Sequence, residues 1–205
     1  AAQSMVKIAP GIDTDHFSPV NASQLREELG LTHKKVIVSV GRLVHRKGQD
    51  VLIEAMPAII EEVPEAHVLM IGEGPYRSYL ENRVKALGLQ GRVTFIGRIQ
   101  YADLPRYICA GDLFVMPSRS RLAGLEVEGL GIVYLEASAC GLPVIAGDSG
   151  GAPDAGIIMV KMRQASKQRR NMYLVNDNVK SQMLDVMFFA AMWALAIGLK
   201  ANVPD

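Results

Sequence analysis

Five short runs, nearly all apolar and rich in β-branched residues, recur between residues 36 and 146. They are Val36–Val40, His67–Ile71, Val93–Ile96, Leu113–Met116 and Pro143–Ala146, each bounded by Gly, Asp or Pro. Unbroken apolar runs of this length suit strands covered on both faces. Between them lie helix-period segments: Leu52, Ala55, Ile59 and Val63 share one face, and Tyr76, Leu80, Val84 and Leu87 share another before the stop at Gly88. Pro57 falls within the first of these, bending it or marking its early turns. Strand and helix in repeated alternation predict an α/β domain on a doubly wound parallel sheet. Ligands of such sheets bind outside the carboxyl ends of the strands, so the loops after the strands are where chemistry is to be sought.

Composition narrows the function classes. The 205 residues hold 49% hydrophobic and 21% charged side chains, enough to bury a core. Lys+Arg 22 against Asp+Glu 21 leaves a net charge of +1, which argues against a general nucleic-acid footprint. Cys109 and Cys140 are too few for a disulfide framework and suit buried thiols in a reducing, cytoplasmic compartment. The N-terminus shows no charged-then-apolar leader pattern. The longest uncharged apolar run, Val186 to Leu199, has 14 residues, short of the ~20 of a membrane span.

Three regions follow from these patterns. Residues 1–35 read as a turn-rich lead-in, with Pro10-Gly11-Ile12-Asp13, Phe17-Ser18-Pro19 and a short capped helix from Ser23 to Leu29. Residues 36–154 form the sheet domain. Beyond 155 the composition shifts: six of the ten methionines fall there, Lys161 to Arg170 is basic, and Met183 to Leu199 is apolar all round. The tail reads as a strand at Ala155–Val160, a helix at Arg163–Arg170, a strand at Met172–Val175 and a helix at Val179–Leu199.

Three loops carry candidate chemistry. In Gly41-Arg42-Leu43-Val44-His45-Arg46-Lys47-Gly48, two glycines frame three cations at a strand's carboxyl end, which suits either a grip on a di-anion or a solvated basic turn. Gly72-Glu73-Gly74-Pro75 lacks the third glycine of a dinucleotide fingerprint and reads as a tight turn into a helix. The segment from Glu126 to Glu136 is the most informative. Gly129 and Gly131 open a helix that runs to Cys140, and its free N–H groups can hold phosphate. Glu128 then falls in the loop at the pocket. Glu136 sits within the helix among Ile132, Val133, Leu135 and Ala137, where a carboxylate wants a hydroxyl partner. Gly147-Asp148-Ser149-Gly150-Gly151 matches the nucleophile signature of chymotrypsin-like proteases. It follows a parallel-type strand, however, and His16, His33, His45 and His67 lack that family's context, so a pocket-lining loop is the better reading.

Taken in order, these motifs resemble the C-terminal, donor-binding domain of retaining GT-B glycosyltransferases, most nearly the actinobacterial PimB-type phosphatidylinositol mannoside mannosyltransferases. The resemblance runs from Pro10-Gly11-Ile12-Asp13 to Pro153. It includes Gly41-Arg42-Leu43 with Arg46-Lys47-Gly48-Gln49-Asp50, Gly72-Glu73-Gly74-Pro75, Phe95-Ile96-Gly97-Arg98, and two glutamates separated by seven residues, Glu128 and Glu136. It implies a Rossmann-like fold and GDP-mannose as donor, with no cofactor and no metal. Arg42, Lys47 and Glu128 would be catalytic, the two cations on the diphosphate and Glu128 on the transferred sugar. Gly41, Gly72, Arg98, Ile99, Leu130, Gly131, Ile132 and Glu136 would bind donor, with Glu136 on the ribose and the Arg98-Ile99 turn beside the base. It also implies a lipid acceptor held by an N-terminal domain missing here, and a peripheral place at the inner membrane face.

The chain departs from the family after Asp154, which stands where the family has Glu, and Glu126 stands where it often has Asp. The atypical end reads as a fusion or chimera. The rival expectation is a non-catalytic interaction or folding module with a vestigial nucleotide pocket, forming a homodimer through the apolar helix at 183–199.

Overall fold

The computed structural model describes residues 11–120 and 124–152, and the backbone of a further strand at 172–175. Six strands form one sheet: β1 (Lys35–Val40), β2 (Ala66–Ile71), β3 (Val93–Gly97), β4 (Leu113–Met116), β5 (Val144–Gly147) and β6 (Met172–Val175). Their order is β3-β2-β1-β4-β5-β6, with every neighbouring pair parallel. Among the described residues five α-helices accompany them: α1 (Ser23–Glu28), α2 (Gln49–Glu62), α3 (Arg77–Ala86), α4 (Leu104–Cys109) and α5 (Ile132–Ala139).

Alternation along the strands splits their side chains between two cores. Val36, Val38, Leu69, Ile71, Phe114 and Val144 pack with Leu25 of α1, Ile108 of α4 and Leu135 of α5. Ile37, Val68, Met70, Val115 and Ile145 pack with Leu52, Ile53 and Met56 of α2 and with Leu80 and Val84 of α3. Both faces are covered, which is why these strands read as continuous apolar runs.

The predicted strands match the observed ones to within a residue, including Met172–Val175 in the tail. Pro57 stands well inside α2 rather than in its first turns. At α1 the capping position is Ala22, which offers no side-chain acceptor, and Asn21 Oδ1 instead accepts the Ser23 N–H at 2.9 Å. The lead-in is built into the core: Phe17, Leu25 and Leu31 are buried against the sheet. The remaining tail expectations (the strand at 155–160, the helix at 163–170, and the apolar helix with its homodimer) lie outside the described residues.

Strand order decides where a site can form. The chain runs from β1 outward to β2 and β3, then returns to the other side of β1 for β4 and β5. Loops after β1 and β4 therefore diverge at their shared boundary and leave a crevice there.

Candidate functional site

Two hollows open at the carboxyl end of the sheet and share Val40 and Gly41 as a common wall. The first, about 450 Å³, is lined by Lys47, Glu128, Leu130, Gly131, Ile132, Val133 and Glu136. The second, about 390 Å³, is lined by Ile71, Gly72, Arg98, Ile99, Gln100, Tyr101 and Leu104. Every residue nominated from the sequence lines one or the other except Arg42. Beyond the strand, Leu43 is buried in the α2–α3 core, and Arg42, beside it, leaves its side chain exposed.

The first hollow is organised around Glu128. Its Oε2 pairs with the Lys47 ammonium at 2.7 Å and accepts hydrogen bonds from Arg46 Nη1 and Ser118 Oγ, each at 3.1 Å. Among the described residues no donor reaches Oε1. Lys47 and Glu128 are both nearly buried, with side chains 11% and 7% exposed, so this pair interacts through little water. The backbone of Glu128 is fixed as tightly. Its N–H donates to Ser149 Oγ at 3.2 Å, and its carbonyl accepts the Gly151 N–H at 3.0 Å. Ser149 is thus a buried anchor for the carboxylate loop, which is the work of the Gly147–Gly151 motif.

Helix α5 completes the wall. Gly131 caps it with φ 70°, a conformation that favours glycine, and a side chain there would strike the Tyr134 ring. Tyr134 is buried and donates its hydroxyl to Met116 O at 2.9 Å and Ser118 Oγ at 3.3 Å, pinning α5 to the end of β4. Burial pushes this phenol up, with a further push from Glu128, and keeps it a donor. No side chain caps the first turn, so the N–H groups of Ile132 and Val133 begin a helix whose positive end borders the hollow.

Glu136 lies one turn further, half-buried and lining the same hollow. Desolvation raises its carboxyl above the usual range, against a smaller opposing pull from His16. A raised folded-state pKa costs stability above the unfolded value, about 4, and the cost disappears below it. Glu136→Gln therefore melts higher than the parent at neutral pH, and the two converge as pH falls to about 4. Calorimetric melts across that range check this.

Four participants were not among the site residues nominated from the sequence. Arg46, one of the three cations in the basic loop, joins Lys47 on Glu128, with Glu126 at 3.9 Å as a second carboxylate. Ser118 and Ser149 carry no signal of their own, because only the meeting of separate loops shows what they hold. His16, from the lead-in, stacks on Tyr101 with ring centroids 4.7 Å apart, beside the second hollow.

Residues 21–157 match the family model described as glycosyl transferases group 1. The chain is 48% identical over 149 residues to the GDP-mannose-dependent alpha-(1-6)-phosphatidylinositol monomannoside mannosyltransferase of Mycolicibacterium smegmatis, covering 72% of this chain and 39% of that protein. It is 49% identical over 148 residues to the corresponding monoacylated-substrate enzyme of Corynebacterium glutamicum, covering 70% and 38%. It thus spans about two-fifths of the length of these curated relatives. Among solved structures, Anabaena Alr3699/HepE in complex with UDP superposes with a TM-score of 0.70 at 26% identity, covering 89% of this chain and 46% of that one. The C-terminal domain of the glycosyl transferase group 1 protein LpcC from Francisella tularensis gives a TM-score of 0.69 at 28% identity, covering 89% and 88%. The parallel, Rossmann-like sheet is that of GT-B glycosyltransferases, and the chain belongs to the glycosyl transferases group 1 family.

Proposed function

We propose that this chain is the donor half of a retaining mannosyltransferase and holds GDP-mannose across the two hollows. The observation that carries this reading is their shared Gly41 wall: cations and a helix N-terminus lie on one side, the Arg98–Ile99 turn on the other. The diphosphate sits against Lys47 and the amides at Gly131 and Ile132, where charge and free N–H groups converge. Arg42 reaches the outer phosphate from its exposed position. The ribose hydroxyls donate to Glu136, whose half-buried carboxylate gains the partners that its surroundings lack. The base enters the second hollow beside Arg98 and Ile99.

The sugar lies at Glu128, where Oε1 accepts one of its hydroxyls. As the bond from C1 to the phosphate oxygen breaks, negative charge builds on the leaving diphosphate, and Lys47 and Arg42 stabilise it. The acceptor hydroxyl attacks from the face the diphosphate leaves, giving up its proton to a phosphate oxygen. A second domain presents that acceptor, a phosphatidylinositol mannoside by likeness to the relatives. Such a lipid places the enzyme at the inner membrane face. Among the described residues no helix is long and apolar enough to cross a membrane.

Isothermal titration of the chain with GDP, UDP and ADP tests this. GDP binds most tightly, and Glu136→Gln weakens it about tenfold, the value of a charge-assisted hydrogen bond. Absence of heat with all three nucleotides at about 1 mM removes the donor assignment.

A further inference from the structure

The three contacts of Arg119 converge on the cationic loop without entering either hollow. Its backbone N–H donates to Arg46 O at 2.9 Å. Its Nε donates to His45 Nδ1 at 3.2 Å. Its Nη2 donates to Asp50 Oδ1 at 2.9 Å and Oδ2 at 2.7 Å. Asp50 lies in the first turn of α2 and is buried, so this contact ties the loop's exit as the other two tie its middle. Tyr76 adds its hydroxyl to Asp50 Oδ2 at 3.3 Å and sets its ring edge-on to His45, 5.6 Å between centroids. The two loops also meet backbone to backbone, since a side chain at Gly48 would overlap the carbonyl of Pro117.

Neighbouring residues divide the work. Ser118 holds Glu128, and Arg119 holds the segment that carries Arg46 and Lys47. The loop after β4 therefore sets the distance between the carboxylate and the cations. A guanidinium is suited to this role, because its planar fork reaches a carboxylate and a ring nitrogen together, which one ammonium does not.

We propose that Arg119 is a positioning residue that, through Asp50 and His45, fixes the His45–Lys47 turn in the geometry that receives the donor diphosphate. The phosphate half of this statement rests on the donor reading above. Arg119 touches no donor atom itself, so its removal acts on phosphate recognition and spares the base.

The test compares Arg119→Met and Arg119→Lys with the parent chain, titrating GDP and guanosine by NMR and following amide hydrogen exchange without nucleotide. Arg119→Met weakens GDP about tenfold, leaves guanosine binding unchanged, and speeds exchange at the Arg46, Lys47 and Gly48 amides while β1 stays protected. Arg119→Lys recovers part of both effects, since its ammonium can reach Asp50 but not also His45. Unchanged GDP affinity with unchanged exchange in Arg119→Met overturns the proposal. So does a matched loss of GDP and guanosine with a general rise in exchange, which marks a merely structural role. Should the parent fail to bind GDP, the donor reading falls, and exchange at residues 46–48 still decides the brace.

Discussion

Lys47→Met weakens GDP binding by about a hundredfold. Truncating one partner of a largely dry charge pair costs about 2–5 kcal/mol, and 2.7 kcal/mol is about two decades of affinity. The Lys47 side chain is 11% exposed and lines the hollow with Glu128, so its contact with a diphosphate would also be shielded from water. The substitution leaves Glu128 with Arg46 and Ser118, which softens the cost to the fold. A melt run beside the titration separates the two effects. A Lys47→Met protein that keeps its melting temperature and binds GDP as the parent does would show that the phosphates sit elsewhere.

Glu128→Gln moves the same measurement in the opposite direction. The carboxylate pairs with Lys47 and Arg46, at 2.7 and 3.1 Å, so an entering diphosphate must compete for them. Neutralising Glu128 removes that competitor, and GDP binds about tenfold tighter. GDP-mannose instead binds about threefold more weakly, because the amide no longer offers a charged acceptor to the sugar. The affinity of GDP-mannose relative to GDP falls by about thirtyfold, within the 1.5–3 kcal/mol of a hydrogen bond to a charged group. Titrating both ligands into both proteins reads the ratio directly. A ratio equal to that of the parent would move the sugar away from Glu128.

These opposite signs come from one carboxylate shared between loops some eighty residues apart, and that sharing is what the sequence conceals. Strands such as Val36–Val40 and Leu113–Met116 announce themselves because burial on both faces demands unbroken apolar residues. Gly131 announces a helix start because few other residues accept its backbone conformation. The positions of the loops after β1 and β4 follow from strand order, so nearly all the nominated residues meet at the two hollows. What fails to show is side-chain direction at a strand's end. Arg42 and Lys47 look equivalent as cations between two glycines, yet burial of Leu43 leaves Arg42 in solvent, while the single 3-10 turn at His45–Lys47 carries Lys47 inward. The lead-in is hidden for another reason. Phe17 is one aromatic among turn residues, with no period to mark a buried face, although it is 1% exposed in the fold.

The partition at Val40 and Gly41 gives this architecture a kind of modular inheritance. On the donor placement proposed above, amino-acid changes around Arg98 and Tyr101 would alter which nucleobase is accepted without touching the residues around Glu128, and changes near Glu128 would leave the second hollow intact. Descendants of one ancestor could then exchange one half of their donor while retaining the other. Gly41 itself belongs to both compartments and has no such latitude.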